Sequence, residues 1–195
     1  MQARPKALWR NSVLAARRAR TDAQRRADNE SLTAAARVLT VSASTVCAYV
    51  PVGSEPGSLP LLDALRGRGN RVLVPVTNPD GPLGWAEYTG EADLVAADFG
   101  LREPSGRALA PDAVAQATLV LVPALAVDRR GVRLGRGAGF YDRTLHLADP
   151  SARLVAVVHD DELVDELPED PHDIRMTHAL TPSGGLTVLG DCSAG

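Results

Sequence analysis

An α/β fold, a single three-layer α/β/α domain with a mainly parallel sheet, is what this sequence predicts, and three observations predict it. Short apolar runs alternate with helical stretches along the chain, as they do where helices cover both faces of a sheet. The most strand-like run, residues 118–123 (TLVLVP), leads through a glycine-rich segment into a helix, the position at which ligands bind in open α/β sheets. The length of 195 residues, with 45% hydrophobic content, suits one domain that folds without disulfide or metal staples.

The elements follow in order. Residues 5–28 lack glycine and internal proline, are rich in Ala, Leu and Arg, and read as one basic helix with Pro5 near its first turn. A second helix is expected from Ser31, a plausible N-cap, to Leu39. Residues 45–50 (TVCAYV) read as a buried strand stopped by the turn-forming 51–56 (PVGSEP). A helix over 59–66 and a strand over 71–76 (RVLVPV) come next, then a shorter strand over 85–88. After strand 118–123, residues 131–139 form a glycine-rich loop and 140–147 a helix. Strands over 153–158, 178–181 and 186–189 complete the set, and the polar tail 190–195 is expected to be disordered. With no internal repeat or linker, residues 1–195 read as one domain.

Composition excludes several classes. The two cysteines, Cys47 and Cys192, lack the spacing of a zinc site or disulfide framework, which suits a reducing, cytoplasmic compartment. The longest apolar run, 119–127, is broken by Pro123, whereas a membrane span needs about 20 apolar residues. The Arg-rich start has no apolar stretch of a secretory signal. The net charge of −3 conceals an asymmetry: residues 1–150 carry 19 basic and 15 acidic groups, and residues 151–195 carry 2 and 9. A basic N-terminal arm suits a polyanion, but with 4% aromatics there is little to stack on bases, so nucleic acid is the weakest partner reading.

The strongest local signal for chemistry is 127–143 (VDRRGVRLGRGAGFYDR). Glycines at 135, 137 and 139 let backbone N–H groups approach a ligand, and Arg133 and Arg136 add donors suited to phosphate. The dinucleotide and P-loop patterns both fail, because position 140 is Phe and no Gly-Lys-Ser/Thr follows. The bare spacing fits a phosphate loop and an ordinary flexible connection equally. Asp142 is placed either to hold Mg²⁺ or to complement a helix start. Lys6, Arg10 and Arg17 share one helical face, either an anion grip or a solvated stripe. Glu55 sits on the loop after the first strand, and His146 and His159 have no Ser or Cys partner at a nucleophile elbow.

In combination, these pieces resemble the 5-formyltetrahydrofolate cyclo-ligase family. The matching residues are 6–10 (KALWR), 49–56 (YVPVGSEP), Val74-Pro75, Glu103-Pro104, 122–128 (VPALAVD), 131–143 and 171–173 (PHD), spanning roughly residues 6–182. The resemblance implies a three-layer α/β fold and an ATP- and Mg²⁺-dependent cyclisation of 5-formyltetrahydrofolate to 5,10-methenyltetrahydrofolate, releasing ADP and phosphate. It implies that ATP is bound by Lys6, Ala7, Leu8, Trp9 and Arg10 together with Arg133, Leu134, Gly135, Arg136, Gly137, Ala138, Gly139, Phe140 and Tyr141. Val50, Glu55 and the stretch from Arg136 through Gly137, Ala138 and Gly139 to Phe140 would contact the folate, with or without a polyglutamate tail. Asp142 and Asp173 would hold Mg²⁺, and Arg136 and Tyr141 would act on the reacting groups. The chain departs from the family pattern at Trp9, Ala138 and Thr177, the last standing where a second acid is frequent. The expected partners are these small molecules, with neither membrane nor nucleic acid, acting on a monomer. A relative that binds nucleotide or folate without cyclising it is the alternative.

Overall fold

The computed structural model describes residues 5–39 and 44–190. Its helices are α1 (Lys6–Ala19), α2 (Asp22–Leu39), α3 (Leu59–Arg66) and α4 (Phe140–Thr144). Its strands are β1 (Thr45–Cys47), β2 (Arg71–Val76), β3 (Gly84–Glu87), β4 (Leu94–Ala96), β5 (Arg102–Pro104), β6 (Ala117–Pro123), β7 (Ala126–Asp128), β8 (Arg133–Leu134), β9 (Arg153–Val157), β10 (Leu163–Val164), β11 (His178–Thr181) and β12 (Gly185–Val188). None of the described helices is long and apolar enough to cross a membrane.

Seven strands form the central sheet in the order β12-β11-β9-β6-β1-β2-β3. The pairs from β11 through β9, β6 and β1 to β2 are parallel, and β12 and β3 close the edges antiparallel. Strand alternation sorts the core onto two faces. Val46, Val72, Val74, Leu119, Leu121, Val155, Val157 and Leu180 pack with α2 and α3 through Leu32, Ala36, Leu61, Leu62 and Leu65. Cys47, Leu73, Val120, Val122, Leu154, Ala156 and Ala179 face the other way, under Trp85, Val114, Leu145 and Met176. The expected mainly parallel sheet covered on both faces is therefore present, although short helical turns, Pro111–Gln116 and Leu145–Leu147, cover much of the second face.

A smaller sheet, β10-β7-β8, lies under α1. Val13, with Trp9 and Leu14, packs there on Leu125, Ala126, Val132, Leu134 and Leu167. The turn from β7 to β8 is held by buried Asp128, which accepts the N–H groups of Arg130, Val132 and Leu167. Gly131 in that turn has φ +92°, and a Cβ would stand 2.3 Å from the Met176 carbonyl oxygen, so only glycine fits.

Four expectations are corrected. The N-terminal helix does not run over 5–28. Arg20 turns extended (φ −65°, ψ 133°). Thr21 and Gln24 then form a capping box, Gln24 N–H donating to Thr21 Oγ1 and Thr21 N–H to Gln24 Oε1. Ser31 therefore lies inside α2 rather than at its start. Residues 131–139 are not all loop, because Arg133–Leu134 pairs antiparallel with Ala126–Val127. The helix expected over 140–147 ends at Thr144, where a tighter turn over Leu145–Leu147 takes over. Most of the expected tail, 191–195, lies outside the described residues.

Candidate active site

In the sheet order, the chain leaves β1 for β2 on one side and later returns with β6 on the other. The crevice between the C-terminal ends of β1 and β6 is thus the topological switch point, where open parallel sheets bind ligands. A cavity of about 410 Å³ lies there. Tyr49, Val50, Val52 and Glu55 enter it from the β1 end, Pro75 and Thr77 from the β2 end, and Pro123, Ala124 and Leu125 from the β6 end. The remaining wall is Arg133 and Gly135 through Asp142, closed over by Leu83, Leu101, Arg102 and Glu103.

The loop after β1 aims Glu55. The Glu55 N–H donates to the Val52 carbonyl at 3.2 Å, and the Val52 N–H donates to Glu55 Oε2 at 3.0 Å. Arg136 Nε stands 3.1 Å from Glu55 Oε1. Arg136 is half exposed while Glu55 is largely buried, so the cation can swing away and leave the carboxylate in the cavity wall.

On the glycine loop, Gly137 has φ +109° and Gly139 φ +71°, both left-handed conformations that favour glycine. The Arg10 guanidinium lies against Gly137, and its Nε donates to the Gly135 carbonyl at 3.0 Å. α4 has five residues, so its dipole is small, and anion affinity must come from the loop amides and the cations.

Arg133 is buried beneath this loop. Nη2 donates to Asp142 Oδ1 at 2.7 Å, Nη1 to the Pro123 carbonyl at 3.3 Å, and the guanidinium stacks 5.7 Å from the Tyr141 ring centre. Burial, reinforced by the Glu55 charge and opposed by Arg133, pushes the Tyr141 phenol far above its ordinary range. Near neutral pH that hydroxyl is a donor and never a phenolate base.

Lys6 reaches a second acidic group. Its Nζ donates to Asp170 Oδ2 and Asp173 Oδ2, each at 2.7 Å. Burial lowers the Lys6 pKa, but the hydrogen bonds to Asp170 and Asp173 outweigh it and raise the value overall, so Lys6 is a cation at neutral pH. Among the described residues, Asp170, His172 and Asp173 can bring one donor atom each within 4.8 Å of the others. Carboxylate oxygens are the ligands magnesium prefers, so the donor chemistry of Asp142 and of this cluster fits it. Thr177, at the position of the frequent second acid, instead hydrogen-bonds Leu154 and the His178 ring.

The cavity therefore gathers Val50, Glu55, Arg133, Gly135, Arg136, Gly137, Ala138, Gly139, Phe140, Tyr141 and Asp142. Leu134 instead packs in the core under α1, where Trp9 also rests. Leu8 and Ala7 are exposed, and Arg10 supports the loop from its outer side. Sequence reasoning quoted Glu103-Pro104 as a motif but gave no site role to the cover from Leu101 to Glu103, where the Glu103 Oε1 accepts the Thr77 N–H at 2.8 Å and ties the cover to the end of β2. For Arg17, open between an anion grip and a solvated stripe, the structure gives neither simple outcome. That side chain is 1% exposed and lines the cavity.

Comparison with known proteins bears on this arrangement. The model of the 5-formyltetrahydrofolate cyclo-ligase family matches residues 2–182. A 5-formyltetrahydrofolate cyclo-ligase of Mycolicibacterium smegmatis is 52% identical over 97% of this chain and 100% of its own. One from Escherichia coli is 33% identical over 77% of this chain and 86% of its own. The solved 5,10-methenyltetrahydrofolate synthetase of Aquifex aeolicus superposes with a TM-score of 0.79 at 26% identity, covering 97% of this chain and 95% of that one. The synthetase of Mycoplasma pneumoniae, at 18% identity and a TM-score of 0.70, shares the fold.

Proposed function

Since the chain belongs to the 5-formyltetrahydrofolate cyclo-ligase family, a family of ligases, we propose that it closes 5-formyltetrahydrofolate to 5,10-methenyltetrahydrofolate with conversion of ATP to ADP and phosphate. The observation that carries this reading is the cavity itself. One apolar crevice at the switch point joins a carboxylate suited to ring N–H groups, Glu55, to a glycine loop flanked by Arg133 and Arg136. A flat heterocycle and a polyphosphate have complementary walls there.

The chemistry needs alignment more than a protein nucleophile. A formyl oxygen on nitrogen is a poor leaving group. In the proposed course it attacks the γ-phosphorus, the bond to ADP breaks, and the formyl carbon becomes a phosphorylated imidate. N10 then attacks that carbon, phosphate departs with the former formyl oxygen, and the N10 proton passes to solvent. Arg136, freed from Glu55, and the loop amides from Gly135 to Phe140 neutralise charge on the transferring phosphoryl group. The neutral Tyr141 hydroxyl donates within the same wall. Lys6 and Arg10 bring α1 to the phosphates from outside the loop. Glu55 and Val50 hold the folate ring. Bound at Asp142 and Asp173, Mg²⁺ would screen the phosphates and polarise the γ-phosphoryl group.

The two cysteines, too few and too widely spaced for a disulfide framework, support a cytoplasmic setting. The test uses 5-formyltetrahydrofolate carrying ¹⁸O in the formyl group, with ATP and Mg²⁺. One labelled oxygen in the released phosphate is expected. Label retained in the folate, or lost to water, would contradict phosphorylation of the formyl oxygen.

A further inference from the structure

Arg17 is the most deeply buried cation at this cavity. Its guanidinium is locked on two sides: Nε and Nη2 donate to the two carboxylate oxygens of buried Glu162, each at 2.7 Å, and Nη2 also donates to the Ala124 carbonyl at 2.6 Å. Those bonds use three of its five donors. The remaining nitrogen, Nη1, is buried and has no partner among the described residues. A buried charged donor left unmade is costly and calls for an explanation.

The surroundings indicate what completes it. Arg17 lines the crevice beside Ala124 and Tyr49, and the Tyr49 hydroxyl feels the charges of Glu55 and Arg17 together. Glu162 already neutralises the guanidinium, so the free donor suits a neutral oxygen better than a phosphate. In the wall of the same cavity, Glu55 offers an acceptor. A ligand that meets both presents N–H donors and a carbonyl oxygen on a flat, apolar body.

We propose that Arg17 is a substrate-binding residue, donating from Nη1 to a carbonyl oxygen of the bound folate. This rests on the folate reading above. The oxygen is that of the ring carbonyl or of the formyl group, and the test separates the two. It also separates substrate contact from a purely structural role, because Arg17 sits on α1, the helix that carries Lys6 and Arg10. An Arg17 that only anchored α1 would, when altered, weaken ATP binding.

The experiment measures by calorimetry the affinities for 5-formyltetrahydrofolate and, separately, for Mg-ATP. The proteins are the wild type, Arg17→Lys and the double variant Arg17→Gln/Glu162→Gln. Lysine preserves a charge opposite Glu162 and the double variant removes both charges, so neither leaves a lone buried ion. Both are expected to bind the folate about 10- to 100-fold more weakly, as for one lost charged donor. Mg-ATP affinity should stay within about twofold of wild type by the same reasoning. Tetrahydrofolate, which lacks the formyl group, is the second arm. A loss that persists with it assigns the ring carbonyl, and a loss that vanishes assigns the formyl oxygen. Unchanged folate affinity, or an equal loss for Mg-ATP, overturns the proposal alone. A wild type that binds no folate overturns the underlying reading with it.

Discussion

At the scale of single residues, each carboxylate assigned to magnesium is held by a basic group assigned to ATP. Asp142 is paired with Arg133, and Asp173 with Lys6. On the proposed function, Mg-ATP binding would be an exchange, with Arg133 and Lys6 released from these carboxylates to phosphates and the carboxylates left to hold the metal. Asp142→Asn should lower turnover on the order of 100-fold, as for loss of one preorganised electrostatic group, while the far-ultraviolet circular dichroism is unchanged. Normal turnover at saturating Mg²⁺ would remove Asp142 from the site. Lys6→Ala should raise the KM for ATP about tenfold and leave folate affinity alone. Its melting temperature should fall as well, because the pair with half-exposed Asp170 contributes little but Asp173, only 9% exposed, loses its cation. The glycine loop was legible because its chemistry is local: left-handed glycines and flanking cations lie within a few positions. Arg17 was not, since Glu162 stands 145 positions away and nothing in the helical face distinguishes a buried guanidinium from a solvated one.

Histidines add a pH effect at the same scale. His159 is buried, with Nδ1 2.9 Å from Asp28 Oδ2 but not aligned for a hydrogen bond. Burial lowers its pKa below the ordinary 6.5, helped by Arg20 and Arg17 and opposed by Glu162 and Asp28. His178 is lowered as well, by burial and then by Arg153. Between the lowered values and 6.5 the unfolded chain binds more protons than the folded one, so stability rises with pH through that window and falls on acidification. Thermal melts from pH 7.5 down to 5.5 should show a falling midpoint, and His159→Gln should flatten that slope. A slope identical to wild type in the variant would rule out His159 as a contributor.

At the scale of elements, long buried strands were easiest to read. β2, β6 and β9 are covered on both faces and appear as nearly continuous apolar runs. The two-residue strands β8 and β10 have no such signature, because pairing to β7 alone defines them. The split between α1 and α2 was present as Thr21-Asp-Ala-Gln24, but no glycine or proline marks it. A capping box inside an Ala- and Arg-rich stretch looks like more helix. Thr21→Ala should cost about 1 kcal/mol of stability in denaturant titration, as expected for a lost N-cap. A midpoint equal to wild type would mean the box contributes nothing.

At the scale of the molecule, the charge asymmetry of the sequence is answered within the fold. The basic N-terminal segment meets the acidic C-terminal part through Lys6 with Asp170 and Asp173, Arg17 with Glu162, and Arg20 with Asp161. The arm that suggested a polyanion partner is largely engaged internally and closes one side of the site. Composition could announce the asymmetry but not this destination, which depends on the β9 and β11 region folding back beside α1. The strand order, and with it the switch point that places the cavity, was equally hidden, because strand periodicity carries no information about neighbours. The motif series was visible in the sequence: the motifs at 49–56, 74–75, 103–104, 122–128 and 131–143 each contribute to one crevice, while 6–10 and 171–173 meet beside it through Lys6 and Asp173. The decisive measurement follows the near-ultraviolet absorbance of the methenyl product in a mixture of protein, 5-formyltetrahydrofolate, ATP and Mg²⁺, with each component omitted in turn. An increase that requires ATP and Mg²⁺ together, and that nearly disappears in Asp142→Asn, is the expected result. Folded protein that binds both substrates yet gives no increase would contradict the cyclo-ligase reading.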